Sequence, residues 1–218
     1  LPAPTLTYRQ LQDQTLRFAT ALFQLGVRKG DRVALMLPNC PQFVVAFYGA
    51  MRIGAIPVNT NPMYVSREMR EQFEDSGCET VVLLDQFYKH LREIHAATRV
   101  RRVIVVNVAE SLPWYARALV HLAQRRKGEQ VRIPAETDTC RFRDLLRAYP
   151  PTPPGADLKP SDIALLQYTG GTTGTPKASR RRAIALPMRP MPTMPTVRSR
   201  SVALLSGYPF SIHLPARR

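Results

Sequence analysis

The sequence predicts an α/β fold in which a mainly parallel sheet carries helices on both faces. Two observations predict the fold and a third marks the site. Apolar runs at 33–37, 80–84 and 102–106 are continuous rather than alternating, the composition of strands buried on both faces. Segments with apolar residues at helical spacing lie between them, so the elements alternate βαβα. A last apolar run at 163–168 opens into glycines, threonines and one lysine, as a strand leading into a phosphate-binding loop does.

Each element has its own signals. Thr7-Tyr8-Arg9-Gln10 has the form of a capping box, and Leu11, Phe18, Leu22 and Leu25 recur at helical spacing until Gly26 closes the helix. Gly30-Asp31 turns the chain into the strand at 33–37. Pro38-Asn39-Cys40-Pro41 starts a second helix through Phe43, Phe47 and Met51 to a stop at Gly54, and a short strand at 55–58 follows. Ser66 is expected to cap a third helix through Met69 and Phe73 to Gly77. A strand at 80–84, a helix at 86–97 and a strand at 102–106 come next. Residues 113–127 read as an amphipathic helix with Tyr115, Leu119 and Leu122 on one face and Arg117, His121 and Gln124 on the other. Such a helix either docks on its own domain, with Arg125, Arg126 and Lys127 favoured at its C-terminal dipole, or lies on anionic lipid as a peripheral membrane contact. The first alternative explains the pattern without a partner. Residues 134–160 carry Pro134, Pro150, Pro151, Pro153, Pro154 and Pro160 around a small Phe142, Leu145 and Leu146 patch, and read as a surface connector.

Composition sets the bounds. With 218 residues, 44% of them apolar, the chain suffices for one large domain or two small ones. The 31 basic and 16 acidic residues give +15, unevenly spread: 179–218 hold eight arginines and no acidic residue, which leaves 23 minus 16, or +7, for 1–178. Cys40, Cys78 and Cys140 have no paired spacing and the four histidines form no metal-ligand pattern, so a reduced cytoplasmic protein without a metal site is expected. There is no signal-peptide pattern and no apolar run of membrane-spanning length. The chain opens on Leu1-Pro2-Ala3-Pro4 rather than on methionine, and a start inside a longer polypeptide is the expectation.

The segment Thr169-Gly170-Gly171-Thr172-Thr173-Gly174-Thr175-Pro176-Lys177 is the candidate site. Its three glycines permit positive φ and let backbone N-H groups converge, its four threonine hydroxyls add donors, and Lys177 supplies a mobile cation. Pro176 fixes φ beside the lysine and removes a donor. The spacing is not that of the P-loop of NTPases, which requires glycine before the lysine and a hydroxyl after it, where this chain has Pro176 and Ala178. Tyr168, ending the strand, is a candidate for core packing as much as for ligand contact.

Tyr168 to Lys177 resembles the signature loop of the AMP-forming adenylating enzymes, which include acyl-CoA synthetases, aryl-CoA ligases, luciferases and peptide-synthetase adenylation domains. Leu166-Gln167 and Gly170 look most like the long-chain fatty acid-CoA ligase branch. Two earlier segments, Leu6-Thr7-Tyr8-Arg9-Gln10-Leu11 and Met51-Arg52-Ile53-Gly54-Ala55-Ile56-Pro57-Val58, resemble the family's first shared stretches and stand in the same order. The resemblance implies ATP, Mg2+ and coenzyme A as cofactors and a fatty acid as substrate: the carboxylate becomes an acyl-adenylate and is then passed to the thiol of coenzyme A. It implies that Thr169, Gly170, Gly171, Thr172, Thr173, Gly174, Thr175 and Lys177 bind ATP and stabilise the charge of departing pyrophosphate. The family's later segments are absent: a glutamate for magnesium, an aspartate for the ribose and a lysine for the α-phosphate have no counterpart after residue 178. Residues 1–178 are therefore expected to be a partial N-terminal AMP-binding domain with no complete catalytic set. This chain alone is expected to be inactive.

From 179 to 218 the sequence turns to Ser179-Arg180-Arg181-Arg182 and then to prolines 187, 190, 192, 195, 209 and 215, a composition expected to be disordered. No aromatic residue is interleaved among its arginines before Tyr208, which argues against nucleic acid as a partner. The break coincides with the end of the resemblance, and a shift of reading frame near Ala178 is the explanation offered. One shifted frame through Gly207 to Ile212 permits Leu-Pro-Leu-Phe-His, similar to the family's next strand. Two alternatives to a ligase fragment stand beside it: a non-catalytic remnant or basic-tail binding module, and another acyl- or aryl-CoA ligase.

Overall fold

The computed structural model of the chain describes residues 6–107, 137–159 and 161–168. The expected helix at 113–127, the candidate loop and the basic tail lie outside the described residues.

The first helix, α1 (Tyr8–Gln24), starts as the sequence dictates. The Thr7 hydroxyl accepts from the Gln10 N-H at 3.2 Å and the Gln10 side chain accepts from the Thr7 N-H at 2.9 Å, closing the capping box. It leads to β1 (Arg32–Met36), α2 (Pro41–Arg52), β2 (Ile56–Asn59), α3 (Ser66–Ser76) and β3 (Thr80–Leu84). After β3 the expected helix is split: a 3-10 turn at Asp85–Phe87, α4 (Tyr88–Ile94) and a second 3-10 turn at His95–Ala97. The strand β4 (Arg102–Val106) follows. One expectation fails at α3. The cap position belongs to Val65, whose N-H donates to the Glu68 carboxylate at 3.2 Å, while Ser66 is the first helical residue and donates its hydroxyl to Glu93 of α4 at 2.7 Å.

The connector also holds more than expected. Within 134–160 lie a strand, β5 (Thr139–Arg141), and a helix, α5 (Phe142–Ala148). The prolines lie outside both elements, and Phe142 and Leu145 are buried, with the Phe142 ring 4.7 Å from that of Phe18. The final strand, β6 (Leu166–Gln167), is shorter than the apolar run that predicts it.

All pairings described are parallel, in the order β5-β4-β3-β1-β2-β6. Residue parity sorts the core into two layers. Val33, Leu35, Val82, Leu84, Ile104 and Val106 face Phe18, Leu22 and Phe43 of α1 and α2. Ala34, Met36, Val81, Leu83, Val103 and Val105 face Met69, Phe73 and Leu91 of α3 and α4. Connections running toward the β6 edge, through α2 and α5, use the first face. Those running toward the β5 edge, through α3 and α4, use the second, as crossovers of one hand require. The helices α1 and α2 meet at Gly49, where a Cβ would stand 2.9 Å from the Phe18 ring and 3.3 Å from the Thr15 carbonyl.

The helix ends at the N-terminal edge of the sheet are closed by arginines that begin strands. Neither α1 nor α3 has a basic residue in its last turn. Arg32, opening β1, donates to Ser76 O at 2.9 Å and Gly77 O at 2.7 Å at the end of α3. Arg102, opening β4, donates to Leu25 O at the end of α1. Each guanidinium thus meets orphan carbonyls at the negative end of a helix dipole.

Candidate functional site

The chain reaches the candidate loop along a strap. After α5, residues 149–159 and 161–165 pass the N-terminal ends of β1 and β2, where Lys29 pairs with Asp162 at 2.7 Å and donates to the Asp157 carbonyl. The Lys159 N-H and the Lys29 ammonium hold the Asp162 carboxyl below the usual aspartate range. Leu158 lies over Gly54, whose φ of +76° and closeness to Leu158 and Lys29 leave no room for a side chain. The strap then turns up as β6, with Val58 opposite Leu166 and Asn59 opposite Gln167. Because the pair is parallel, the chain leaves β6 at the carboxyl edge of the sheet, the edge at which open α/β sheets bind ligands. It does not leave from the switch point, which lies between β1 and β3. The strand β6 is on the far side of β2.

Two side-chain bonds fix the last residues before the loop. The Asn59 side-chain N-H donates to Gln167 Oε1 at 2.7 Å. The Tyr168 hydroxyl donates to Asp75 Oδ2, in the last turn of α3, at 2.6 Å. Burial and the Asp75 carboxylate together push the Tyr168 phenol well above the usual tyrosine range. Tyr168 is thus half-buried, and its hydroxyl is committed to α3. Behind these contacts, Gln72 is buried and donates to the Asn59 carbonyl at 3.0 Å. Asn59, Gln72 and Asp75 are therefore supports that sequence reading did not single out. Their partners lie on other elements, and nothing in the local pattern marks them.

Thr169, Gly170, Gly171, Thr172, Thr173, Gly174, Thr175 and Lys177 themselves lie outside the described residues. Their residue types, glycines, threonine hydroxyls and one ammonium, suit phosphate oxygens. A magnesium ion is a different matter. Residues 169–178 contain no acidic side chain, and among the described residues no group of three His, Cys, Asp or Glu could hold a metal. Nor is any described helix long and apolar enough to cross a membrane.

Comparison with known proteins decides the family. A family model described as AMP-binding enzyme matches residues 3–179. The chain belongs to the AMP-binding enzyme family. Within it, a long-chain-fatty-acid–CoA ligase of Escherichia coli O157:H7 is 38% identical over 176 residues, covering 80% of this chain and 31% of that protein. The structure of a long-chain-fatty-acid-CoA ligase from Archaeoglobus fulgidus superposes with a TM-score of 0.60 at 25% identity, over 80% of this chain and 30% of its own. An anthranilate CoA ligase in complex with anthranoyl-AMP superposes with a TM-score of 0.62 at 24% identity, over 77% of this chain and 28% of its own, and shows the shared fold. The chain spans just under a third of the length of the curated relatives it matches.

Proposed function

We propose that residues 1–178 are the first part of the N-terminal domain of an ATP-dependent fatty acid-CoA ligase. In this reading Thr169, Gly170, Gly171, Thr172, Thr173, Gly174, Thr175 and Lys177 receive the triphosphate. The observation that supports it best is the pinned parallel strand β6, which ends at the carboxyl edge of the sheet in a chain that resembles long-chain-fatty-acid–CoA ligases over 80% of its length. The loop's donors stabilise the charge that gathers on the β- and γ-phosphates as pyrophosphate leaves. ATP would supply the activating phosphoanhydride and Mg2+ would offset phosphate charge, with no ligand for it assigned to residues 169–178, and the acyl group would pass to coenzyme A on parts of a full-length ligase outside this segment. We place the protein in the cytoplasm, and read residues 179–218 as a segment separate from the domain.

Two measurements test the reading. In a full-length ligase containing this segment, Thr173→Ala and Lys177→Ala lower ATP-pyrophosphate exchange by about 10²-fold each, as removal of donors from preorganised anion sites does, and leave fatty acid binding nearly unchanged. The 218-residue chain alone catalyses no exchange above its Lys177→Ala variant. Wild-type exchange rates in both loop variants would sink the assignment.

The second reading, a non-catalytic module that uses its basic tail, draws on the eight arginines and absent acidic residues of 179–218. It predicts nucleic-acid binding that weakens steeply with salt. Sequencing the coding DNA beyond codon 178 decides whether another frame reads as a ligase and hence whether this tail belongs to the protein at all.

A further inference from the structure

The strand that carries the candidate loop has little to hold it. It forms two register pairs with β2, at Leu166 and Gln167. Of the residues just before it, Ile163 is 44% exposed and Ala164 alone is fully buried. A strand this short has few backbone bonds to fix the orientation of its end. The two side-chain bonds fix it instead. Successive residues of a strand point to opposite faces, and here Gln167 and Tyr168 are each tied on their own side. By register Asn59 stands opposite Gln167 and shares the face of Leu35, toward α1 and α2. Tyr168 goes the other way, to Asp75 on α3.

The anchors are themselves fixed. Gln72, 5% exposed and one helical turn before Asp75, holds the Asn59 carbonyl at 3.0 Å. Thus α3, seated on the second core layer through Met69 and Phe73, reaches the end of β6 by two routes. One is direct, from Asp75 to Tyr168, and the other runs from Gln72 through Asn59 to Gln167. We infer that Asp75 and Asn59 are positioning residues for the phosphate loop: they clamp the strand end from both faces and set the direction in which residues 169–177 depart. The inference rests on the reading of that loop as the nucleotide site. It assigns a functional role to two residues that touch neither nucleotide nor acyl group.

The test uses the full 218-residue chain and inorganic pyrophosphate as the probe. Tyr168→Phe removes one hydroxyl, Asn59→Ala removes the other clip, and Asp75→Ala removes the carboxylate. Hydrogen exchange read over peptides spanning 163–168 should rise in each variant while β1, β3 and β4 stay protected and the thermal midpoint holds. Pyrophosphate affinity should fall roughly fivefold to tenfold per clip, in proportion to the loss of one hydrogen bond. In the double variant Tyr168→Phe/Asp75→Ala the loss should be no greater than in either single one, because the two changes cut the same bond. Unchanged exchange at 163–168 overturns the clamp. So does lost protection with wild-type affinity. A wild-type chain that binds no pyrophosphate overturns the loop assignment instead, and with it the inference built on it, an outcome distinct from wild type and variants binding equally.

Discussion

The four-stranded body β1 to β4 and the strap that ends in β6 belong to one sheet but are held by different forces. In the body the side chains of each strand alternate between two apolar layers, where Leu35, Met36 and Ile104 are fully buried, as are Phe18 of α1 and Phe73 of α3 that cover them. In the strap the fastenings are polar and separate: Lys29 to Asp162, Asn59 to Gln167, Tyr168 to Asp75. Apolar burial is cooperative and non-directional, so the body stands or falls as a unit. Each polar clip fixes a direction and contributes little to global stability. The contrast suits the proposed work: a rigid base, and at its rim a segment whose aim matters more than its strength.

Cutting the body should therefore be felt everywhere. Phe73→Ala is expected to destabilise the chain by about 3 to 5 kcal/mol, visible as a lower urea midpoint with an unchanged slope. A change in slope would mean that α3 unfolds apart from the rest.

Alkali should act on the same layer. Burial pushes the Cys78 thiol from 9.0 up to about 11, against weaker opposing contributions from Ser76 and Arg32. Its folded-state value is raised, so its contribution to stability is fully present below pH 9 and is lost as the pH climbs to about 11, because the unfolded chain releases the proton first. Up to about 3 kcal/mol is at stake. In Cys78→Ala the fall in stability between those pH values should be shallower. An identical fall in the variant would show that other groups carry it.

Gly49→Ala should cost about 1 to 3 kcal/mol by pushing α2 off Phe18 and the α1 backbone. Differential scanning calorimetry of the variant measures it. The smallest global effect is expected from Lys29→Met, which should leave the thermal midpoint in place while hydrogen exchange quickens across 157–165. If the midpoint moved as far as in Phe73→Ala, the division between body and strap would be wrong.

The same division separates what the sequence discloses from what it hides. The strands at 80–84 and 102–106 and the capping box of α1 can be read directly, because apolar runs and Thr-x-x-Gln spacing are local signals of local physics. Residues 139–148 defeat that reading. Prolines on the flanks give the stretch a connector's composition, while Phe142 and Leu145 make a helix worth forming only because Phe18, far away in sequence, is there to cover them. Ser66 misleads for a related reason: serine is favoured at a cap, but here Glu93 claims its hydroxyl and the helix starts one residue earlier, with the Glu68 carboxylate accepting from the Val65 N-H. The loop at 169–177 is conspicuous as a motif. Its supports are not, since Asp75 sits in a helix so polar that it looks like solvent-facing surface, and Tyr168 lies 93 residues from it.

The arginines that close the helices also impose an order in time. The bond from Arg32 to the end of α3 spans 45 residues and its donor comes first along the chain, so α3 meets its closing guanidinium as soon as it docks on β1. The bond from Arg102 to the end of α1 spans 77 residues and its donor comes last. During synthesis from the N-terminus, α1 therefore keeps its terminal carbonyl open to water through the making of β1, β2 and β3. It is completed only when β4 is laid beside β3.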